Sequence, residues 1–140
     1  MGRAAVTIAA VLIILAVLFF APVLRDQPWT PLRIAGVAIA LVGTLFLVIT
    51  HINLGASFAF GAQPKGPLVT HGIYSKIRNP MYVFVDLTLA GLLLAANLPW
   101  LLVLIPVWAI FQARRAGREA RMLQEKFGQA YLDYRRKTWF

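Results

Sequence analysis

The chain contains no cysteine, which excludes disulfides, thiolate metal sites and cysteine nucleophiles. Histidine is nearly as scarce. His51 and His71 do not stand at the spacing expected of metal ligands on a helix, so no metal is expected. Acidic residues number five against fourteen Lys and Arg, and charged residues make up 14% of the chain. A formal charge of +9 would point a soluble protein towards nucleic acid. Here the basic residues sit at the ends of apolar runs, where they serve as topology signals and lipid-headgroup contacts, and no nucleic-acid partner is expected.

What is present is hydrocarbon. At 60% hydrophobic residues and a mean hydropathy of +0.73, 140 residues are too apolar for a soluble domain. Residues 4–24 carry no charge, and roughly 20 apolar residues cross a bilayer as a helix. The run is long for the core of a signal peptide and Ala21-Pro22-Val23 is a poor cleavage site, so a first crossing is expected. A second is expected at 33–53, after a turn marked by Pro28 and Pro31. Residues 55–78 lose periodicity and form a long connecting loop. The chain is apolar again from Pro80 to Phe111, broken by Asp86 and by the turn signal Asn97-Leu98-Pro99. This predicts a helical hairpin with arms at about 80–96 and 99–115.

From 116 to 136, apolar positions recur every three or four residues at Ala116, Ala120, Leu123, Phe127, Ala130 and Tyr134. That spacing predicts an amphipathic helix, broken near Gly128. The expected fold is thus all-α: one integral membrane domain, 1–140, of about four transmembrane helices with a cytoplasmic carboxyl-terminal helix. Four crossings with the amino terminus inside put 12 of the 14 Lys and Arg on the cytoplasmic side, together with the long loop and both termini. In a bacterium this would be the inner membrane. Gly36, Ala40 and Gly43 permit close helix packing, expected within the chain. Nothing in the sequence speaks to oligomeric state.

Polar residues gather at one interface. His51 and Asn53 end the second crossing, His71, Tyr74, Arg78 and Asn79 end the loop, and Tyr82 and Asp86 open the third helix. Arg78, Tyr82 and Asp86 follow one another by four, so a helix starting near Asn79 aligns them on one face. Arg115 and Glu119 share that spacing. An intramembrane carboxylate is costly and faces a cavity or a partner, which makes Asp86 either a functional group or the structural partner of Arg78, His51 or a backbone amide.

Leu54-Gly55-Ala56-Ser57-Phe58, the stretch Leu68 to Tyr82, Glu119 to Leu123 and Phe127 to Tyr134 together resemble the isoprenylcysteine carboxyl methyltransferase and phospholipid methyltransferase superfamily. The family pattern has a Gly-x-Tyr turn, an Arg-His-Pro-x-Tyr lead into a helix and an Arg-x-x-x-Glu-Glu-x-x-Leu stretch before Phe-Gly. Asn79 stands here where His is usual, and Ala120 where the second Glu is usual. Asn does not titrate, so a general base at position 79 is not expected.

The resemblance implies an S-adenosyl-L-methionine site contacted by Gly66, Pro67, Leu68, Val69, Tyr74, Asn79, Pro80, Met81, Tyr82 and Glu119. It places Arg115 towards the substrate, where a guanidinium can hold a carboxylate or phosphate bidentately. Arg115, Arg78 and Asp86 are the candidates for the chemistry, with Asp86 resting on its position in the membrane rather than on a family motif. The implied activity is methyl transfer to a lipophilic or membrane-associated carboxylate, amine or thiol. Two alternatives are an NADPH-dependent membrane reductase related to the sterol reductases, which have similar carboxyl-terminal helices, and a non-catalytic membrane scaffold. Against the reductase, Lys65 and Lys76 are the loop's only lysines for a 2′-phosphate.

Overall fold

A computed structural model describes Arg25 and residues 28–54 and 66–139. The crossing expected at 4–24 and the loop residues 55–65 lie outside the described residues. Within them the chain is all-helical. Helix α1 is Pro31–Leu54, α2 Pro80–Ala95, α3 Leu104–Phe127 and α4 Gln129–Lys137, with 3-10 turns at Gly72–Ser75 and Pro99–Val103.

Local chemistry accounts for the ends of these elements. Thr30 Oγ1 accepts the backbone N–H of Arg33 at 3.3 Å, a side-chain cap on the third residue of α1. Pro31 and Pro80 open α1 and α2, where a missing N–H costs nothing and φ is already helical. Asn97 turns the chain after α2 with φ 61°, a conformation asparagine tolerates better than most side chains. Pro106 has no N–H to donate to Leu102 and its ring crowds that carbonyl. The segment before it is accordingly a 3-10 turn, and regular α-helix begins at Leu104.

No break in the backbone separates the arm expected at 99–115 from the amphipathic helix expected at 116–136. Helix α3 runs unbroken through Arg115-Ala116, because Ala113 to Met122 are good helix formers apart from Gly117, and one exposed glycine costs only about 1 kcal/mol. The break comes at Gly128, with φ 53° and ψ −123°, a region open to glycine alone.

Helix α1 is the one described helix long and apolar enough to cross a bilayer, and α2 is apolar but shorter. At about 1.5 Å per residue, the 24 residues of α1 reach about 36 Å, past the roughly 30 Å hydrocarbon core. Its inner face is small. A Cβ on Gly43 would stand 2.6 Å from Thr88 Oγ1, one on Gly36 would stand 2.7 Å from Leu94 Cβ, and Gly91 of α2 lies against the backbone of Ala40. The two helices therefore meet at near backbone contact, with Phe46 and Phe84 stacked at 5.0 Å beside the seam.

Arg33, 1% exposed, closes one end of this pair. Its Nε donates to the Ala95 carbonyl and its Nη1 to the Pro28 carbonyl, both at 2.9 Å, and the guanidinium lies over the Trp29 ring. A cation thus satisfies the last carbonyl of α2, at the negative end of its dipole. The outward faces carry exposed Ile34, Leu41, Leu45, Val48, Val107, Trp108, Ile110 and Phe111. So continuous an apolar surface suits association with lipid rather than water.

Gly91→Ala is expected to lower stability by about 1–3 kcal/mol, since the added methyl meets backbone that cannot yield without parting the helices. Gly117→Ala meets nothing within 4 Å and is expected to be neutral or to stabilise by up to about 1 kcal/mol. Thermal unfolding in one detergent would compare them.

Candidate active site

Helices α2 and α3 run antiparallel, so side chains one turn apart on α2 meet side chains on α3 in reverse order. Two polar rungs result. The Tyr82 hydroxyl donates to Glu119 Oε1 at 2.8 Å, and Arg115 Nε donates to the same oxygen at 3.0 Å. One turn deeper, Gln112 Nε2 donates to Asp86 Oδ1 at 2.8 Å. The spacing that puts Tyr82 and Asp86 on one face of α2 is matched on α3 by Gln112, Arg115 and Glu119.

The first rung joins residues 37 positions apart in sequence. Arg115 and Glu119 are each about one-third exposed, so the pair is reachable from outside the helices. Glu119 Oε2 has no hydrogen-bond partner among the described residues, which leaves a carboxylate oxygen able to accept from a hydroxyl or ammonium group. Tyr74 is buried close to this centre. Burial, and then the proximity of Tyr134 and Glu119, push its phenol well above the usual range, so it stays a neutral donor.

The loop residues reach the site because a glycine allows it. Gly72 has φ 60°, and a Cβ there would collide with the Asn53 side-chain amide at the end of α1. The Gly-x-Tyr turn therefore sits directly on α1 and delivers Tyr74 inward. Asn79 is the N-cap of α2, without a side-chain cap bond, and its carbonyl accepts the Tyr82 N–H at 3.2 Å. Pro80 is buried and Met81 half-buried behind it, while Gly66 to Val69 form irregular backbone leading to the exposed His71. His51 lies in the last turn of α1.

Arg78 does not join the face shared by Tyr82 and Asp86. It precedes the helix, and its Nη1 donates to the Arg135 carbonyl and to Thr138 Oγ1, both at 3.2 Å. Asp86 is partnered by neither Arg78 nor His51, which the sequence offered, but by Gln112. The sequence signal for Gln112 is a lone amide at the end of the apolar stretch Pro106 to Phe111, and the structure shows it buried. Tyr134 was read as one apolar position of the carboxyl-terminal helix. Its hydroxyl donates to the Tyr74 carbonyl at 2.8 Å, and with the Trp139 N–H donating to the Lys76 carbonyl at 2.9 Å it ties α4 over the Tyr74 turn. Among the described residues no group of three His, Asp or Glu could hold a metal ion.

Burial, reinforced by Tyr131 and opposed by Arg78, pushes the Tyr134 phenol up to about 12. The folded state thus favours the neutral form. That contribution is complete below the unfolded value near 10 and is lost as pH rises towards about 12. Tyr134→Phe is expected to cost about 1 kcal/mol at neutral pH through the lost hydrogen bond. It should also flatten the alkaline fall in stability, read as unfolding temperature from pH 9 upwards.

No curated protein matches the chain. The family model described as phospholipid methyltransferase matches residues 32–130, well over half of the chain. The match runs from the first turn of α1 into the first turn of α4 and so takes in both rungs and the Tyr74 turn. The chain belongs to the phospholipid methyltransferase family.

Proposed function

We propose that this protein is an integral membrane methyltransferase of about four crossings, with both termini and the Tyr74 turn on the cytoplasmic side, using S-adenosyl-L-methionine to methylate a lipophilic acceptor. Family membership supports methyl transfer in general. The observation that carries the finer reading is the Tyr82, Glu119 and Arg115 cluster, which gathers three residues of the family motifs onto one carboxylate oxygen.

The residues fit such a cofactor. Glu119 Oε2 can accept from ribose hydroxyls or from an amino group, and Asn79 and nearby backbone can read a base edge. The face of a tyrosine ring can meet a sulfonium by cation–π attraction. When bound, S-adenosyl-L-methionine would supply an electrophilic methyl, which an acceptor lone pair attacks in line while the positively charged sulfur leaves as a neutral thioether with the pair of the broken C–S bond.

The protein's task in such a displacement is alignment and exclusion of water. Tyr82 and Arg115 fix the Glu119 carboxylate from two sides, one on each helix, so that it is set before a ligand arrives. Tyr74 is locked by the turn at Gly72 and by the Tyr134 bond. Arg115 stands at the acceptor side, where its guanidinium suits a carboxylate or phosphate. Asp86, one turn deeper and oriented by Gln112, can orient an acceptor amine or thiol or take its proton. On this reading the acceptor reaches the two rungs from the lipid side of α2 and α3, while the soluble cofactor comes from the cytoplasm.

Calorimetry on detergent-purified protein is expected to show saturable S-adenosyl-L-methionine binding that Glu119→Ala weakens by about tenfold or more, the scale of a charged hydrogen bond, and that NADPH does not displace. Displacement by NADPH would favour a reductase, and no binding by a folded protein would favour a scaffold.

Asp86→Asn keeps an acceptor for Gln112 and removes the charge. It is expected to leave cofactor binding unchanged and to reduce turnover of amine or thiol acceptors by about tenfold or more, the low end of general-base effects. Full turnover across pH would reduce Asp86 to a structural partner of Gln112.

A further inference from the structure

Beyond the seam between α2 and α3, a surface pocket of about 510 Å³ is lined by Arg78, Leu132, Arg135, Arg136, Thr138 and Trp139. None of the residues of the two rungs lines it. Three arginines share one concavity, and among the described residues no carboxylate lines it. The nearest acidic residue in sequence, Asp133, accepts from Gln129 along α4 instead.

The site is held together by backbone rather than by counter-charge. Arg78 spends Nη1 on the Arg135 carbonyl and the Thr138 hydroxyl, and Trp139 is pinned through its N–H to Lys76. Among the described residues the side chains of Arg135 and Arg136 make no hydrogen bond or ion pair, and the one ion pair is Arg115 with Glu119. Arg78 is held in place and the exposed Arg135 and Arg136 stand beside it; like charges so placed repel one another, and an anion seated among them relieves that repulsion while accepting their N–H groups.

We propose that this pocket binds a phosphate group, and that its source is the headgroup of an anionic lipid. Arg78 stands two residues before Pro80, the first residue of the apolar helix α2, so on the topology proposed above, on which this inference rests, the pocket lies where that helix leaves the hydrocarbon. Leu132 and Trp139, the latter 75% exposed, give its rim an apolar and aromatic character suited to the acyl boundary. The contact would moor α4, and with it the Tyr74 turn, to the membrane surface.

The full chain in uncharged detergent would be titrated by calorimetry with dihexanoylphosphatidic acid, with dihexanoylphosphatidylcholine and with inorganic phosphate. Arg135→Gln/Arg136→Gln leaves intact the backbone carbonyl that Arg78 uses. Arg121→Gln/Lys126→Gln removes the same charge elsewhere on the cytoplasmic helix. Phosphatidic acid is expected to saturate at one per chain, to weaken by about tenfold or more in the first variant and to bind the second as it binds the wild type. Weak binding of inorganic phosphate beside strong binding of the lipid assigns the headgroup, and equal binding of both assigns a soluble phosphate to the same pocket. Binding without saturation, or an equal loss in the two double variants, would show diffuse attraction and overturn the proposal. Unchanged helical content by circular dichroism excludes misfolding as the cause of a loss.

Discussion

Helices α1 and α2 approach until backbone meets backbone at Gly36, Ala40, Gly43 and Gly91, and the positions of the remaining described elements follow from that contact. The outer faces of these helices are apolar as well, so what distinguishes the seam is close van der Waals contact and a few polar bonds. The small residues supply the first. Arg33 supplies the second at one end, by satisfying the Ala95 carbonyl that would otherwise be buried without a partner. At the opposite end of α1, Asn53 receives the Gly72 turn, so the same helix that sets α2 also sets the segment that carries Tyr74.

The contact between α2 and α3 is of another kind. It is polar, made of two rungs, and sparse in apolar packing. A carboxylate and an amide placed among apolar residues are tolerable because each has the other, and their mutual bond orients both. The outer rung is different, since Glu119 receives two donors on one oxygen and, among the described residues, keeps the other open. Rigid elements on both sides hold that carboxylate, which is the arrangement expected of a binding group rather than of a helix-surface ion pair of small energetic value.

Helix α4 adds a clasp. The continuous helix α3 ends at Gly128, and α4 is tied to the Tyr74 turn through Tyr134, Trp139 and the Arg78 clamp. The substitution of Asn for the usual His at 79 and of Ala for the usual Glu at 120 leaves this scaffold intact. Neither position supplies a bond on which the two rungs depend.

The all-helical class, the turn at Asn97 and Pro99, the break at Gly128 and the small face of α1 were determined by the sequence itself, because each depends on backbone sterics and side-chain size over a few neighbouring residues. The family motifs likewise lie in contiguous stretches and could be read directly. What the tertiary structure alone decided was pairing across helices. Gln112 meets Asp86, Arg78 turns away from Tyr82 to hold Arg135 and Thr138, and Tyr134 seeks a carbonyl 60 residues away. These bonds follow from the antiparallel register of α2 and α3 and from where α4 docks. Periodicity reports which face a side chain occupies, but it carries no information about the height at which two faces meet. The unbroken course of α3 through Arg115-Ala116 has the same origin. A change from apolar to charged composition marks a change of solvent along a helix, and the backbone hydrogen bonds continue across it.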